Sequence, residues 1–413
     1  MKILFLVPYA PTQIRTRPSN LLRNLNKQGH HITLATMWED ESEKKALEDF
    51  RAEGIQVIAY RLTRSQKMWN ILRGIFSTQP LQAWYCWQPA FAHATRRLAR
   101  EEEFDVIHVE HLRSAKYGLN IRSQISTSNR KIPIVWDSVD CISLLFEQAA
   151  QKSLSPFGKW ITRLELPRTK KVEAELISKF ERVLVTSAAD KAGFENLFQQ
   201  KKFDRRSRIE VLTNGVDLTY FTPDRTQLPE QKIIFTGKLS YHANITAARF
   251  LAEDIMPIVW EKHPEIILEL VGKEPHPSLY KLAVSEEHIR VIGNVPDMRP
   301  YMHKAILAVA PIVYGAGVQN KVLEAMACGT AVVATPQAVS ALSHLIPGET
   351  AIVAEGAENL AKAILLLIGD GDLCKRIGDR GLAYVQRFHD WNEIAMDLGR
   401  IYRDVVQEGI SQV

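Results

Sequence analysis

The chain lacks the features that most quickly assign a sequence to a class. No apolar run reaches about 18 residues, so no transmembrane helix is predicted. The start MKILFLVPYAP has neither a separate basic region nor a small-residue cleavage site, and it is interpreted as a buried strand rather than a signal peptide. The few cysteines are far apart, in none of the pairs typical of metal sites, which favours a reduced, cytoplasmic setting; they are Cys86, Cys141, Cys328 and Cys374.

Several motifs are missing as well. No G-x-x-x-x-G-K-[ST] loop, internal repeat or low-complexity segment occurs, and the basic residues are too dispersed for a nucleic-acid module. What is present is a globular composition, with 46% apolar and 24% charged residues in 413, enough for two domains. The net charge of +5 suits an anionic substrate or a membrane surface, but solubility alone explains it equally well.

Apolar, strand-like runs alternate with helical patterns along most of the chain. Runs that are apolar on both faces and separated by helices predict a parallel sheet covered on both sides. Strands are predicted at 2–9, 31–37, 55–60, 104–110, 132–138 and 182–187, and then at 233–237, 266–272, 289–293, 306–313 and 330–335. Helices are predicted at 18–28, 41–53, 89–103, 157–180, 244–262 and 318–328, and at the end of the chain at 356–368, 372–387 and 390–408.

The alternation pauses once, and this pause divides the chain. Residues 211–232 hold Asn-Gly and two prolines, which are turn and breaker signals. The sequence therefore predicts an α/β protein with two Rossmann-like domains, at 1–215 and 233–388, joined by a linker at 216–232. Ligands of such sheets bind beyond the carboxyl ends of the strands. The amphipathic helix in 389–413 is expected to pack back toward the first domain.

A glycine-rich turn precedes a helix in APIVYGAGVQNKVLEAMACGTAVVAT, residues 310–335. Gly315 and Gly317 let a ligand approach the backbone, and the helix start that follows favours an anion. Lys321 lies in the first turn, and Glu324 follows three residues later, where it could accept hydrogen bonds from sugar hydroxyls. An ordinary surface pair of Lys321 with Glu324 is the alternative. A dinucleotide fingerprint is disfavoured because Asn320 replaces its third glycine and no acid ends the next strand.

Three stretches together carry a family resemblance: GAGVQNKVLEAMACGTAVVAT, VLTNGVDLTYFTP and IIFTGKLSYHANITAARFLAEDIMPIVWEKHPEIILELVG. They resemble the group 1, family four glycosyltransferases, in detail over about 205–390 and in layout over 1–200. The details PYAP, WDSVDC and QNKVLEAMACG are similar to a bacterial branch linked to exopolysaccharide clusters. The resemblance implies a GT-B fold with two Rossmann-like α/β/α domains facing a cleft. It also implies retaining, metal-independent transfer from a nucleotide-diphosphate sugar, with no cofactor.

The resemblance also assigns donor-binding residues in the second domain. The backbone cradle for the diphosphate would be Gly317, Val318 and Gln319, flanked by Gly315 and Asn320, and Glu324 matches the acid that binds ribose in relatives. The first acid of the family's pair would fall at Ala316 and is missing. An Arg after Gly237 becomes Lys238, and a Lys six residues later becomes Asn244. Lys321 could supply the second positive charge, and the backbone near Val295 would meet the nucleobase.

In the first domain, strand ends offer candidate acceptor and catalytic residues. Arg15 and Arg17 follow the first strand and could bind an anionic acceptor or the donor phosphates, or remain solvated. His108 and His111 close a later strand in FDVIHVEH. His108 is a candidate for acceptor binding or a structural histidine, and His111 is a candidate for acid–base work.

The next strand end, WDSVDC, carries two carboxylates. Asp137 occupies the place of a histidine that touches the donor sugar in many relatives, and Asp140 could bind acceptor hydroxyls or cap a helix. The expected catalytic set is therefore Lys238, Lys321, Glu324, Asp137 and His111, with Arg15, Arg17, His108 and Asp140 on the acceptor side. No metal site is expected.

Residues 61–87 mix basic and aromatic side chains in RLTRSQKMWNILRGIFSTQPLQAWYCW. This pattern suits a helix at an anionic membrane or a groove for a lipid-linked acceptor, but also a packed helix with a basic outer face. The expected function is sugar transfer to a sugar or lipid-linked acceptor hydroxyl in cell-surface polysaccharide or glycolipid synthesis, in the cytoplasm or on the inner face of its membrane. A nucleotide-sugar epimerase and a non-catalytic GT-B scaffold remain the alternatives.

Overall fold

A computed structural model describes residues 1–12, 15–125, 131–152, 156–199, 208–314 and 317–411. The strands are β1 Lys2–Val7, β2 His31–Trp38, β3 Gln56–Arg61, β4 Val106–Glu110, β5 Ile134–Val139, β6 Arg182–Val185, β7 Arg208–Val211, β8 Lys232–Thr236, β9 Ile267–Val271, β10 Ile289–Ile292, β11 Leu307–Ala310, β12 Ala331–Ala334 and β13 Ile352–Val353.

The helices are α1 Thr16–Lys27, α2 Glu41–Ala52, α3 Arg64–Ile75, α4 Leu81–Tyr85, α5 Pro89–Glu101, α6 His111–Ile125, α7 Ile142–Lys152, α8 Pro156–Ile177, α9 Ala188–Gln199, α10 His242–Phe250, α11 Met256–Trp260, α12 Pro277–Ser285, α13 Arg299–Lys304, α14 Asn320–Ala327, α15 Pro336–Val339, α16 Ala357–Gly369, α17 Gly371–Phe388 and α18 Trp391–Ser411. A π-helical turn, Leu251–Ile255, joins α10 to α11.

The chain divides into two compact units. The first comprises Met1–Thr213 and Trp391–Val413, and the second comprises Asn214–Asp390. The final helix α18 is therefore part of the first unit, where its apolar face packs on α1 and the sheet. The expectation of two α/β domains is confirmed, since each unit holds one parallel sheet between helices.

Both sheets are doubly wound. The first has the order β3-β2-β1-β4-β5-β6-β7, and the second has the order β10-β9-β8-β11-β12-β13. Each order reverses at one point, between β1 and β4 in the first sheet and between β8 and β11 in the second. Ligands of doubly wound sheets bind at these switch points, beyond the carboxyl ends of the strands.

The strands form because their residues are apolar on both faces, which helices on both sides of the sheet bury. All residues of β4 and β11 are buried, as are five of the six in β1. In the second unit one continuous apolar cluster surrounds β8, β11 and β12. The switch points consequently lie on rigid scaffolding, which is where a precise site can be built.

Residues 216–232 are not the separate linker that the sequence suggested. They belong to the second unit, where Val216 is buried and its N–H donates to the carbonyl of His389 at 2.8 Å. Leu218 and Phe221 also pack on the core of that unit. Turn residues predicted a break in secondary structure correctly, but they carry no information about which core a coil segment packs against.

Candidate functional site

Two helix starts meet at the switch point of the second unit. The strand β8 leads through Gly237 into α10, and β11 leads toward α14. Neither α10 nor α14 has a side-chain cap on its first turn. Uncapped N–H groups at a helix start carry a partial positive charge and bind anions well. Backbone donors from two helices are therefore directed to one edge of the sheet.

Gly237 makes room for this arrangement. Its φ of +149° favours glycine, and a Cβ there would lie 2.9 Å from Asn244 Nδ2 and 3.3 Å from Lys321 Cε. Gly272, at the end of the adjacent strand, is tighter still, because its Cβ would lie 1.7 Å from the carbonyl oxygen of Gly237. The expected role of Gly237 beside the donor thus has a steric basis.

Lys321 projects from the first turn of α14 across the switch point. Its Nζ donates a 2.5 Å hydrogen bond to Asn244 Oδ1 and lies 4.7 Å from the ring centroid of Phe235. Burial lowers the pKa of Lys321 to about 8, although Glu324 nearby acts to raise it. Among the described residues no salt bridge joins Lys321 to Glu324, so the alternative of an ordinary surface ion pair is wrong.

Asn244 bridges the two lysines expected at the diphosphate. While its Oδ1 accepts from Lys321, its Nδ2 donates to the carbonyl of Lys238 at 3.0 Å. Asn244 is nearly buried. Lys238 itself is exposed and its Nζ lies 3.1 Å from Glu274, a weak surface pair that a phosphate could displace. A neutral amide therefore holds the cation of Lys321 without neutralising it.

Glu324 lies one turn further along α14. Burial raises its pKa to about 7, and the positive charge of Lys321 acts in the opposite direction. The residue is partly buried, and its carboxyl group has no hydrogen-bond partner among the described residues. A carboxylate that is desolvated but can still accept hydrogen bonds is suited to the hydroxyls of a sugar.

The backbone cradle is only partly described. Gly315 and the missing-acid position Ala316 lie outside the described residues. Gly317 has a φ of +76°, and Gln319 is the N-cap of α14, so Val318 and Asn320 flank a helix start as expected. The geometry is that of a glycine turn opening a helix, as the sequence predicted.

The predicted base loop is fixed by an ionic network. Arg299 binds Asp297 through Nε and Nη2, at 3.0 and 2.7 Å, and its guanidinium lies 4.2 Å from the ring centroid of Tyr220. The hydroxyl of Tyr220 also donates to Asp297 at 2.9 Å, and these bonds hold the pKa of Asp297 well below its usual range. Val295 packs on the core just before this network. The network could not be recognised in the sequence because Tyr220 lies 77 residues before Asp297.

The switch point of the first unit has a different chemistry, since it carries a buried acid. Glu110 ends β4, and its Oε1 accepts from the hydroxyl of Tyr9, which follows β1, at 3.1 Å. Burial, together with the negative charge of nearby Asp137, raises the pKa of Glu110 to about 8. Its other oxygen, Oε2, has no hydrogen-bond partner within the described part of the chain.

His111 begins α6 with an unusual backbone, at a φ of +65°. Burial lowers its pKa to about 3, so the imidazole is neutral near pH 7. Its Nδ1 accepts from the N–H of Arg113 at 3.3 Å, which leaves the proton on Nε2. His111 can therefore donate one hydrogen bond at the sheet edge, but it cannot serve there as an imidazolium acid.

Arg17 and His108 are internal rather than ligand-facing. Arg17 is buried against Asp137, with Nε to Oδ2 at 2.9 Å, so it is neither solvated nor available to an anionic acceptor. His108 is fully buried, stacked on Phe5 at 3.9 Å, and its Nδ1 lies 2.8 Å from the hydroxyl of Tyr402 in α18. Burial and an internal partner for each, Asp137 for Arg17 and Tyr402 for His108, disfavour their acceptor-binding assignments, although His108 Nε2 has no hydrogen-bond partner among the described residues.

The remaining candidates lie near the same edge. Arg15 is partly exposed and pairs with Glu43 at 2.8 Å, so its charge is also compensated. Asp140 has a pKa raised to about 7 by burial and accepts a long hydrogen bond, 3.4 Å, from Thr186. Between Asp137 and Asp140 the chain strains through Val139 at a φ of +70°, which is rare for a β-branched residue. Strained backbone conformations of this kind are found most often at active sites and ligand-binding sites.

Two other kinds of feature are absent from the described ranges. No group of three or more histidine, cysteine, aspartate or glutamate side chains there is arranged to hold a metal ion. No helix there has the length and the apolar content to cross a membrane.

Two doubly wound units in one chain, each a parallel sheet between helices, are the architecture of the GT-B class of protein. Models of two sequence families match this chain, glycosyltransferase family 4 over residues 16–220 and glycosyl transferases group 1 over residues 230–370. The chain therefore belongs to the group 1, family four glycosyltransferases.

The individual relatives share 30% or less of their residues with this chain over the matched parts. The chain is 30% identical over 167 residues to a phosphatidyl-myo-inositol mannosyltransferase of Mycobacterium leprae, covering 38% of this chain and 42% of that one. It is 27% identical to the Mycobacterium tuberculosis protein of the same name, covering 50% and 58%. A lipopolysaccharide core biosynthesis mannosyltransferase of Rhizobium leguminosarum is 25% identical, covering 65% and 73%. The matches thus span about half the length of the first two relatives.

Solved structures agree over nearly the whole fold. Sucrose-phosphate synthase from Thermosynechococcus elongatus superposes with a TM-score of 0.71 at 17% identity, covering 99% of this chain and all of that one. HepE from Anabaena, solved with UDP and glucose, gives 0.66 at 15% identity, covering 98% and 100%. At these identities the likeness shows the fold alone, and it confirms the expected GT-B architecture.

Proposed function

We propose that this protein transfers a sugar from a nucleoside-diphosphate sugar to an acceptor hydroxyl. The observation that carries the proposal is the cation of Lys321, held by neutral Asn244 at a switch point where two uncapped helices begin. A buried ammonium without an ion-pair partner in the described residues is poorly solvated, and an anionic diphosphate restores the lost solvation.

The cation of Lys321 also explains how the protein would accelerate the transfer. Negative charge grows on the leaving diphosphate as the sugar departs, and preorganised cations and N–H groups stabilise that charge at no cost of reorganisation. Lys321 and Lys238 supply the cations, and the start of α14 supplies N–H donors. The transfer needs no metal in this proposal, because these groups occupy the place where a metal would act. Full activity in the presence of EDTA supports this part, and loss of activity refutes it.

The acceptor is proposed to bind at the first unit through its hydroxyls. Glu110 and Asp140 are acids with raised pKa values at the carboxyl edge of the sheet, and His111 is a neutral donor there. Because Arg15 and Arg17 are paired internally, no unpaired arginine of the first strand's loop attracts an anionic group. Carboxyl groups and a neutral imidazole both form hydrogen bonds with polyol hydroxyls, so a sugar or an inositol-like acceptor fits best.

The acceptor is further proposed to be lipid-linked, with retention of the anomeric configuration and action at the cytoplasmic membrane face. The support is the family and two relatives, a phosphatidyl-myo-inositol mannosyltransferase and a mannosyltransferase of lipopolysaccharide core biosynthesis. Proton NMR of the product tests retention, since the anomeric coupling distinguishes the two configurations. A product of inverted configuration contradicts this part of the proposal.

The test of the donor site is thermal unfolding with UDP, GDP, ADP, CMP and dTDP, on wild type and Lys321→Ala. A ligand at about 100 times its dissociation constant adds about 2.7 kcal/mol to native stability. We expect one nucleotide to raise the melting temperature of the wild type and not of the variant. The turnover of Lys321→Ala is expected to fall roughly a hundred- to thousandfold. This is the typical effect of removing one hydrogen-bond donor that stabilises the negative charge developing in a transition state.

A matched control separates this effect from a general loss of charge. Lys262 is exposed and lies before β9, at the opposite edge of the sheet, so Lys262→Ala should respond to nucleotide as wild type does. A fully active, well-folded Lys321→Ala protein contradicts the proposed donor site. No stabilisation of wild type by any nucleotide favours the non-catalytic scaffold, and isomerisation of the donor without an acceptor favours the epimerase.

A further inference from the structure

The helix α3 is oriented with its polar side inward. Its two buried residues are Asn70 and Gly74. Its large apolar residues point to solvent, with exposures of 72% for Met68, 63% for Trp69 and 86% for Phe76, which follows the helix. Leu72 and Ile75 on the same helix are about half exposed. Soluble helices normally hide this face, so its exposure in five residues of a nine-residue stretch requires an explanation.

Contacts on the buried side fix this orientation. Asn70 Nδ2 donates to the carbonyls of Trp87 at 2.7 Å and Tyr85 at 3.3 Å. A Cβ on Gly74 would lie 2.9 Å from Leu81 Cδ2, so only glycine allows α3 to approach α4 this closely. Rotating α3 to bury its apolar side would break both hydrogen bonds of Asn70 and bring large side chains against α4.

The two ends of α3 are fixed as well. Thr63 and Gln66 form a capping box at the start. At the end, Arg168 of α8 donates to the carbonyl of Ile75 at 3.3 Å. The same helix α8 holds α4, because Glu165 accepts from the N–H of Leu81 at 2.6 Å. The exposed apolar face is therefore built on a fixed helix rather than on a frayed one.

The charge around this face has one sign. Residues 61–87 contain four cations and no acidic residue. Arg64 and Arg73 are exposed and have no ion-pair partner among the described residues, whereas Lys67 is bound to Glu39 at 2.5 Å. Nearby, Lys116 lies 3.1 Å from the ring centroid of Trp84, and no acid of the described residues pairs with it. Apolar side chains bordered by unpaired cations form the pattern of an interfacial helix on anionic lipid.

We propose that the outer face of α3, formed by Met68, Trp69, Leu72, Ile75 and Phe76 with Arg64 and Arg73, docks on an anionic membrane surface. The apolar side chains enter the interface between headgroups and acyl chains, and the two arginines bind lipid phosphates. A second copy of the chain is a poorer occupant, because pairing two such faces brings Arg64 and Arg73 of each copy against cations. The inference does not rest on sugar transfer, since docking needs neither nucleotide nor acceptor.

Vesicle sedimentation of the full chain tests this surface. Wild type is expected to bind vesicles of mixed phosphatidylcholine and phosphatidylglycerol, to bind phosphatidylcholine alone weakly, and to lose binding as salt rises. Trp69→Ser with Phe76→Ser should lower the partition coefficient at least tenfold. Arg64→Glu with Arg73→Glu should lower it on the mixed vesicles by about fivefold or more for each cation removed.

The matched control uses two apolar residues of the second unit that are equally exposed, Leu228 at 85% and Val284 at 90%. Leu228→Ser with Val284→Ser should bind vesicles as wild type does. The proposal is overturned if wild type binds neither vesicle type, or if this control loses as much binding as the α3 variants. It is also overturned if light scattering shows a wild-type dimer that Trp69→Ser with Phe76→Ser dissociates, because a second copy then covers the face.

Discussion

The two switch points of this protein share a topology and differ in how their charges are compensated. In the first unit Arg17 is buried against Asp137, and Arg15 pairs with Glu43. In the second unit Lys321 is held by a neutral amide, and the partner of Lys238 is an exposed glutamate. The same sheet order therefore supports a closed ionic network at one edge and an open cationic site at the other.

The difference indicates what distinguishes a ligand site from a structural one on this fold. A charge that is paired inside the protein stabilises the unit, and it gains little further interaction energy when a ligand binds. A cation that is desolvated but not neutralised gains most when an anion arrives, since the anion restores the interactions that burial removed. Substitution of Arg17 should consequently damage folding, and substitution of Lys321 should damage binding.

The largest effect is expected from Arg17→Met. It leaves Asp137 buried without its cation, and breaking a buried pair in this way typically costs about 3–5 kcal/mol. Urea unfolding followed by circular dichroism should show this loss in the free energy of unfolding. If the substitution costs nothing, the first edge is not a closed network and the comparison fails.

Arg15→Met is the control for that experiment. The pair of Arg15 with Glu43 is partly exposed, and such pairs contribute roughly 0–1 kcal/mol. The two substitutions remove the same charge from positions two residues apart, so any difference between them reports burial rather than net charge.

The local parts of both edges were predictable from the sequence. Strands apolar on both faces and a glycine turn before Lys321 are patterns of adjacent residues, and the structure has strands and a helix there. The strands β7 and β13 were missed because both lie at a sheet edge and are partly exposed, so neither has the continuous buried apolar run that marks the central strands. The amphipathic residues of α3 were also recognised, but periodicity cannot tell which side of a helix is buried.

What could not be predicted are the pairings between distant parts of the chain. Arg17 and Asp137 are 120 residues apart, Lys321 and Asn244 are 77 apart, and the hydroxyl that holds His108 comes from Tyr402, 294 residues later. Each of these side chains is compatible with several partners by charge alone. Only the strand order brings one partner within hydrogen-bond distance and thereby decides between a ligand site and a core network.

A smaller effect is expected from pH at the open edge. In the protein without nucleotide, burial lowers the pKa of Lys321 to about 8. A bound diphosphate should raise this pKa, because it favours the charged form of the lysine. Nucleotide affinity should therefore fall above pH 8, by up to about tenfold per pH unit, until the pKa of the complex is reached. The terminal phosphate titrates near pH ~6 and does not contribute in this range.

Isothermal titration calorimetry of wild type and Lys321→Met between pH 7 and 10 measures this dependence. The variant should bind more weakly at pH 7 and show no further fall above pH 8. A wild-type affinity that stays constant up to pH 10 would mean that the ammonium of Lys321 does not contact the anion.

The smallest effect is expected from Glu324→Gln, which tests whether the carboxylate beside Lys321 supports the fold or a ligand. Its pKa is raised to about 7 in the folded protein, so ionisation opposes folding once the pH exceeds the ordinary value near 4.5, and the full penalty is present above 7. Glu324→Gln should stabilise the free protein at pH 8 by less than about 1 kcal/mol, because the group is partly exposed, and should change nothing near pH 4.

Nucleotide binding should respond to the same substitution in the opposite direction, since an amide accepts fewer hydrogen bonds from ribose hydroxyls than a carboxylate does. Thermal unfolding at both pH values, with and without nucleotide, separates the two effects. Glu287→Gln, at an exposed position in the same unit, is the control and should alter neither. A Glu324→Gln protein that is less stable at pH 8 would show that the carboxylate supports the fold, and the second edge would then resemble the closed network of the first.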